Sequence, residues 1–337
     1  MTLVTLGAPI TRHITAVAVL LLLWPRPAWP HHGGVSLGFG PGSPIETNSP
    51  LTLPQGGFVV STRAEQVQWK TFSFQDPTNR MSSTFTHVGL SYGLTPYLTG
   101  SLFVPYTVKR QDGLADVSDI GDLRFQLSLG ANYDPKKGVA LNRADDTAVT
   151  LEGSTRVYLG GFASVTAPTG EHDNLRPGET EVDKSMQTGF GSPAFTVGLA
   201  AARNVVGSLS LTADATYDVF TEADSYTYGG EFRFDLAPVY ELYGKPENFL
   251  SKVDGILELN LLDIARDKAS GESVTASGGT ILYLSPGVRL SFPRLSNANL
   301  GMLVKIPVWK DLNEQSQQQG SEGLEEYRAI MTLSFFF

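Results

Sequence analysis

The sequence has no cysteine, which removes disulfides, thiolate nucleophiles and zinc–thiolate sites together. It is also short of charge: 18% of its 337 residues are Asp, Glu, Lys or Arg, against about 25% in an ordinary soluble domain. Basic groups are in the minority, 25 Lys+Arg against 34 Asp+Glu, with a net charge of −9 and a pI near 5.1. That balance argues against a nucleic-acid partner. Beyond Trp24 no apolar run approaches the ~20 residues of a membrane-spanning helix, and mean hydropathy is −0.06. A polytopic helical membrane protein is therefore excluded. Aromatics at 10% exclude long disorder. Glycine is abundant instead, 35 of 337 residues, about 10% where about 7% is usual.

The first thirty residues read as an export signal. Arg12 and His13 precede the apolar run Ile14 to Trp24, too short to span a bilayer and of the length of a secretory h-region. Pro25, Pro27 and Pro30 then interrupt any helix, and cleavage is expected between Ala28 and His32.

From about residue 57 onward the pattern has a period of two. Leu209, Leu211, Ala213, Ala215, Tyr217 and Val219 alternate with Ser208, Ser210, Thr212, Asp214, Thr216 and Asp218. Phe232, Phe234, Leu236, Tyr240 and Leu242 alternate with Glu231, Arg233, Asp235 and Glu241. Such alternation makes strands with one apolar face. Twelve are expected, near 57–72, 84–92, 97–109, 120–131, 155–168, 190–202, 207–220, 228–243, 253–265, 278–292, 298–309 and 324–337. Their connections alternate between tight turns and long polar loops. This pattern predicts an all-β fold, an antiparallel transmembrane β-barrel of about 12 strands in the bacterial outer membrane, with short turns on the periplasmic side. Residues 132–154 break the pattern, so that turn holds either an extra hairpin or an elaboration. A periplasmic β-sandwich also alternates, but its strands average about five or six residues, whereas these reach the ~9–11 of a tilted crossing.

The chain ends on a strand closing in Phe337. Tyr327, Leu333 and Phe335 share its face, the arrangement of an assembly signal read by the barrel-insertion machinery.

Ile120-Gly121-Asp122-Leu123 is followed by Thr166-Ala167-Pro168-Thr169-Gly170 and then Gly189-Phe190-Gly191-Ser192, with Val104-Pro105-Tyr106 upstream. These short motifs resemble the outer-membrane transporter family related to the phenol meta-pathway degradation barrel proteins, over most of the chain from about residue 50. The resemblance implies transport of small, often aromatic compounds and names no binding residues.

With the apolar faces toward lipid, the interior ionisable residues follow from the alternation. The basic candidates are Arg63, Lys109, Arg124, Arg156, Arg233, Arg289, Lys305 and Arg328. The acidic ones are Glu65, Asp122, Asp214, Asp218, Glu231, Asp235, Glu241 and Glu258. They are near balance, and either brace the wall as cross-strand pairs or line a conduction path. The net negative charge falls instead in the long loops, a solvated rim facing outer-membrane lipid and lipopolysaccharide. His31-His32 supplies only two metal ligands and His87 lies on a strand face. No Ser–His pair is placed for nucleophilic catalysis. No enzyme, metal or cofactor is expected.

Residues 31–56 hold four prolines and six glycines, which excludes a regular strand or helix. Val35, Leu37, Phe39, Ile45, Leu51 and Leu53 are nevertheless more apolar than a solvated linker needs. This segment is a candidate lumen plug, because irregular backbone at membrane depth requires a protein-lined interior. The functional expectation is a passive channel for small solutes, weakly polar or aromatic. The alternatives are a structural or adhesive barrel, or an outer-membrane barrel enzyme.

Overall fold

The computed structural model describes residues 35–36, 40–41, 44–70, 73, 80–143, 156–179, 182, 184–275, 277–313 and 325–337. The expected signal, residues 1–30, and His31-His32 lie outside this set.

Twelve long strands form the wall: β1 (Phe58–Trp69), β2 (Arg80–Thr95), β3 (Leu98–Gln111), β4 (Leu123–Asp134), β5 (Val157–Ala167), β6 (Ala194–Val206), β7 (Leu209–Phe220), β8 (Glu231–Gly244), β9 (Lys252–Ile264), β10 (Gly279–Phe292), β11 (Ala298–Leu312) and β12 (Glu325–Phe336). Each pairs antiparallel with its sequence neighbours, and β12 pairs with β1, so the sheet closes on itself. Closure leaves no unpaired edge in the wall, the condition for a sheet to lie in hydrocarbon. The only helical element among the described residues is the short 3-10 turn Lys184–Met186.

Burial is inverted relative to a water-soluble protein. Leu199, Leu242 and Leu127 on the outer face are 70%, 64% and 55% exposed, whereas Glu258 and Ser285 on the inner face are 0% exposed. An apolar exterior around a polar, hydrogen-bonded interior is stable when the surrounding solvent is lipid.

The strands agree with the period-two pattern, with boundary differences of a few residues. β6 starts at Ala194 rather than 190, because Phe190 to Pro193 leave the wall and fold into a loop cluster described below. The departure at 132–154 contains a hairpin: Gly138–Leu141 turns back and pairs with the last four residues of β4. It lies on the β4 edge just past the point where β3 begins. At the other end Val117–Ile120 does the same for β3, beyond the start of β4. Both pieces extend the wall where two long strands are staggered.

The seam between first and last strands runs from Glu325↔Trp69 to Phe336↔Val59, and the backbones of Phe58 and Phe337 then exchange N–H···O bonds of 3.0 and 2.8 Å. Tyr327, Leu333 and Phe335 lie on the same outward side of β12 as Met331. Deleting Phe337, or replacing it with Asp, is expected to lower the yield of heat-modifiable, membrane-inserted protein severalfold. Normal insertion of both variants would reduce the terminal aromatic to packing.

Candidate functional site

The interior is crossed by residues 44–57. This stretch forms no strand; it is held at its ends and middle by groups on the wall. The Glu258 carboxylate of β9 accepts the backbone N–H groups of Ile45 (2.9 Å), Glu46 (3.0 Å) and Thr47 (2.8 Å), and the Thr47 hydroxyl at 2.5 Å. Asp214 of β7 accepts the Asn48 backbone N–H at 2.7 Å and its side-chain amide at 2.9 Å. Toward β3, the Leu53 N–H donates to Thr99 Oγ1 at 2.8 Å and the Thr52 hydroxyl to the Pro96 carbonyl at 2.7 Å. A segment rich in proline and glycine has no ladder of its own, so wall side chains satisfy its backbone.

Three apolar side chains complete the seat. Ile45 packs among Val239, Ile256, Leu303 and Ile330. Leu51 packs with Tyr158 and Ala202, and Leu53 with Val59 and Phe336. Burying each contributes about 1.5–3 kcal/mol. On β2, a Cβ at Gly93 would fall 2.0 Å from the Pro54 carbonyl oxygen, so only glycine lets the segment approach there. Together with Gly130 on β4, Gly160 on β5 and Gly287 on β10, which lie against Thr52, Pro50 and Ile45, every wall strand touches the segment.

The ionisable residues fall into groups around it. Glu325, Arg328, Glu65, Arg63, Glu46 and Lys305 form a continuous chain: Arg328–Glu325 2.7 Å, Arg328–Glu65 2.8 Å, Arg63–Glu65 2.8 Å, Arg63–Glu46 2.5 Å and Lys305–Glu46 3.1 Å. Lys305 Nζ also lies 4.5 Å over the Tyr283 ring, whose hydroxyl donates to Glu325 at 3.2 Å. The chain thus becomes a ring spanning β10, β11, β12 and β1, and the segment supplies one of its members. On the facing side Asp214 and Asp235 are register partners. Asp235 accepts from Asn260 at 2.9 Å, which accepts from Ser285 at 2.6 Å.

The other candidates occupy the two ends. Toward the short turns, Arg289 pairs with Asp254 at 2.8 Å, Lys252 bridges Glu241 at 3.1 Å, and Arg156 stands 3.8 Å from Asp134. Toward the long loops, Arg233 pairs with Asp218 at 3.0 Å and with Glu231, and Lys109 donates to the Gln187 carbonyl at 2.6 Å. Arg124 faces inward on β4. Asp122 does not line the wall: it precedes β4, and its carboxylate accepts the N–H groups of Gly170 at 2.8 Å and Phe190 at 2.7 Å. Three separate motifs meet there, since a Cβ on Gly170 would lie 2.9 Å from Gly121 Cα and 3.0 Å from Gly189 Cα. This knot draws residues 168–179 and 184–193 together at the long-loop end, where Met186 and Gln187 are buried.

His87 faces inward, and its Nδ1 is buried with no hydrogen-bond partner among the described residues. The loop carboxylates are not simply solvated. Asp224 accepts from Lys184 at 3.0 Å, and that hydrogen bond, with the lysine's charge, holds its carboxyl below the usual range. Glu179 pairs with Arg176, and Asp267 accepts from Tyr226 at 2.6 Å. Alternation alone misses Glu46, Asn48 and Glu325, whereas Asp254 shares the inward parity of Glu258 on β9 and belongs with the candidates. One signal for Glu46 was available: it is the only charged residue between Gly33 and Thr62.

The architecture has a counterpart among solved structures. The COG4313 outer membrane channel from Pseudomonas putida F1 superimposes with a TM-score of 0.62, covering 87% of this chain and 100% of that one at 13% identity. The fold is that of an outer-membrane channel. A Rhodopseudomonas blastica porin aligns over 83% of this chain and 99% of its own, at 13% identity and a TM-score of 0.24, too low to carry weight. No family model and no curated protein matches the sequence.

Proposed function

We propose that this protein is a passive outer-membrane channel for small solutes, delivered by the leader at residues 1–30 and constricted by residues 44–57. The observation that carries the reading is the polar interior of the closed barrel, with charged pairs along its length and a segment outside the wall crossing it. The interior candidates other than Asp122 then include wall braces, such as Arg289–Asp254, and groups uncovered when the segment withdraws, such as Arg63, Lys305, Asp214 and Glu258. The channel fold of the Pseudomonas putida protein supports this reading, and the motif resemblance to the phenol meta-pathway barrels favours aromatic cargo. Lipopolysaccharide at the outer rim and the insertion machinery at the β12 terminus complete its partners. No reaction chemistry is assigned to the interior.

Fractionation and solute entry test it. The full chain is expected in the outer-membrane fraction, with heat-dependent gel mobility. Liposomes containing it are expected to admit arabinose measurably faster than protein-free liposomes. Recovery as a soluble protein, or identical rates in the two liposome preparations, would overturn the proposal.

A further inference from the structure

Among the inward-facing guanidinium groups of the wall strands, four have carboxylate partners: Arg63, Arg233, Arg289 and Arg328. Arg124 has none among the described residues. Its single contact is a donation from Nη2 to Gln126 Oε1 at 3.5 Å, the outer limit of a hydrogen bond, and its Nε is buried without an acceptor. A guanidinium is permanently charged, and Arg124 is half-buried on the inner face of the wall with no described carboxylate within ion-pair distance. The carboxylates at hand are committed elsewhere. Asp122, two residues earlier, accepts the Gly170 and Phe190 amides, one on each oxygen, and Asp218 is held by Arg233 and Thr196.

The surroundings define what would fit. Arg124 is in register with Phe103 on β3 and with Thr166 on β5. On the same inward face of β5 stand Ser164 and Phe162. Ser164 Oγ is buried with no partner, and Ser164 is the register partner of Gln126, the residue the guanidinium touches. Phe103 and Phe162 are 5% and 8% exposed, two apolar rings on the strands either side of the one that carries this cation.

Resting on the channel reading above, we infer that Arg124 and Ser164 form a binding station in the upper bore for a small carboxylate with an apolar body, its head on the guanidinium and its body between Phe103 and Phe162. The planar fork of an arginine matches a carboxylate bidentately, and a hydroxyl beside it adds one more donor. A neutral solute of the same shape would leave the guanidinium unpaired. The station therefore selects among solutes by charge, where the paired interior as a whole does not.

Calorimetric titration of the detergent-solubilised full chain tests this with benzoate and with benzamide, its neutral counterpart. Benzoate is expected to bind at least about tenfold more tightly than benzamide, the scale of a charge-assisted pair. Arg124→Gln is expected to bring the ratio of the two affinities close to one. Arg124→Lys, which keeps the charge and loses the fork, and Ser164→Ala are each expected to leave an intermediate ratio. Gel mobility before and after heating reports folding of every variant, and Arg124→Lys carries the test if Arg124→Gln does not fold. Equal affinity for the two probes in the wild type, or an unchanged ratio in the Arg124 variants, would overturn the inference. Benzoate binding without arabinose entry would overturn the channel and leave the station; arabinose entry without charge preference would do the reverse.

Discussion

Removal of residues 33–54 behind an intact leader is expected to raise single-channel conductance by roughly tenfold or more, because a bore of twelve strands is wider than side chains alone fill. The deleted stretch contributes Ile45, Leu51 and Leu53 to three interior clusters and Glu46 to the ionic ring. It contributes no strand to the wall between Phe58 and Phe336, and all twelve wall pairings survive its loss. The variant should therefore still insert and keep its heat-dependent mobility, with a lower melting point. Planar-bilayer recordings beside the wild type measure the change. An unchanged conductance in a correctly folded variant would mean that solutes are stopped elsewhere, with the loop between β5 and β6 the next element to remove.

Replacing Glu258 by Leu should have the second largest effect, and a local one. Its carboxylate has no cationic partner among the described residues and is balanced by three N–H groups and one hydroxyl from residues 45–47. Leucine leaves those donors buried without an acceptor, at about 1–3 kcal/mol each. Hydrogen exchange at residues 45–47 is expected to accelerate by roughly a hundredfold or more, since each 1.4 kcal/mol is tenfold. Amides of β8 and β9 should keep their protection, because the wall ladder does not run through that carboxylate. Glu258→Gln retains one acceptor oxygen and should fall between. Unchanged exchange at 45–47 in the Leu variant would place the anchor at Asp214 instead.

Both experiments turn on a segment whose apolar content was visible in the sequence but whose contacts were not. The wall was legible because lipid on one side and a polar bore on the other impose strict alternation, and β1 follows it at every residue from Phe58 to Trp69. Alternation fails where a ladder slips. On β12 the register shifts between Glu325 and Tyr327, so Glu325 turns inward although it shares parity with the outward Tyr327, Ala329 and Met331. The ionic ring therefore could not be completed from the pattern. Glu46 was hidden differently: it lies where no periodicity exists, and its partners come from strands far along the chain. The motifs around Asp122 were legible one at a time. Their meeting was not, because Gly121, Gly170 and Gly189 are joined through loops whose path no local rule sets.

The ring that joins Glu46 to Lys305 also fixes an order of events. These two residues are 259 positions apart, and the seat around Ile45 draws on β8, β9, β11 and β12 together. None of that surface exists until the last strand has arrived beside the first. Residues 44–57 precede every wall strand in the chain and are docked only after all of them are in place. Contacts of such long sequence separation form slowly. The moment at which Ile45 loses access to water is accordingly a clock for completion of the barrel, readable by a probe at that one position.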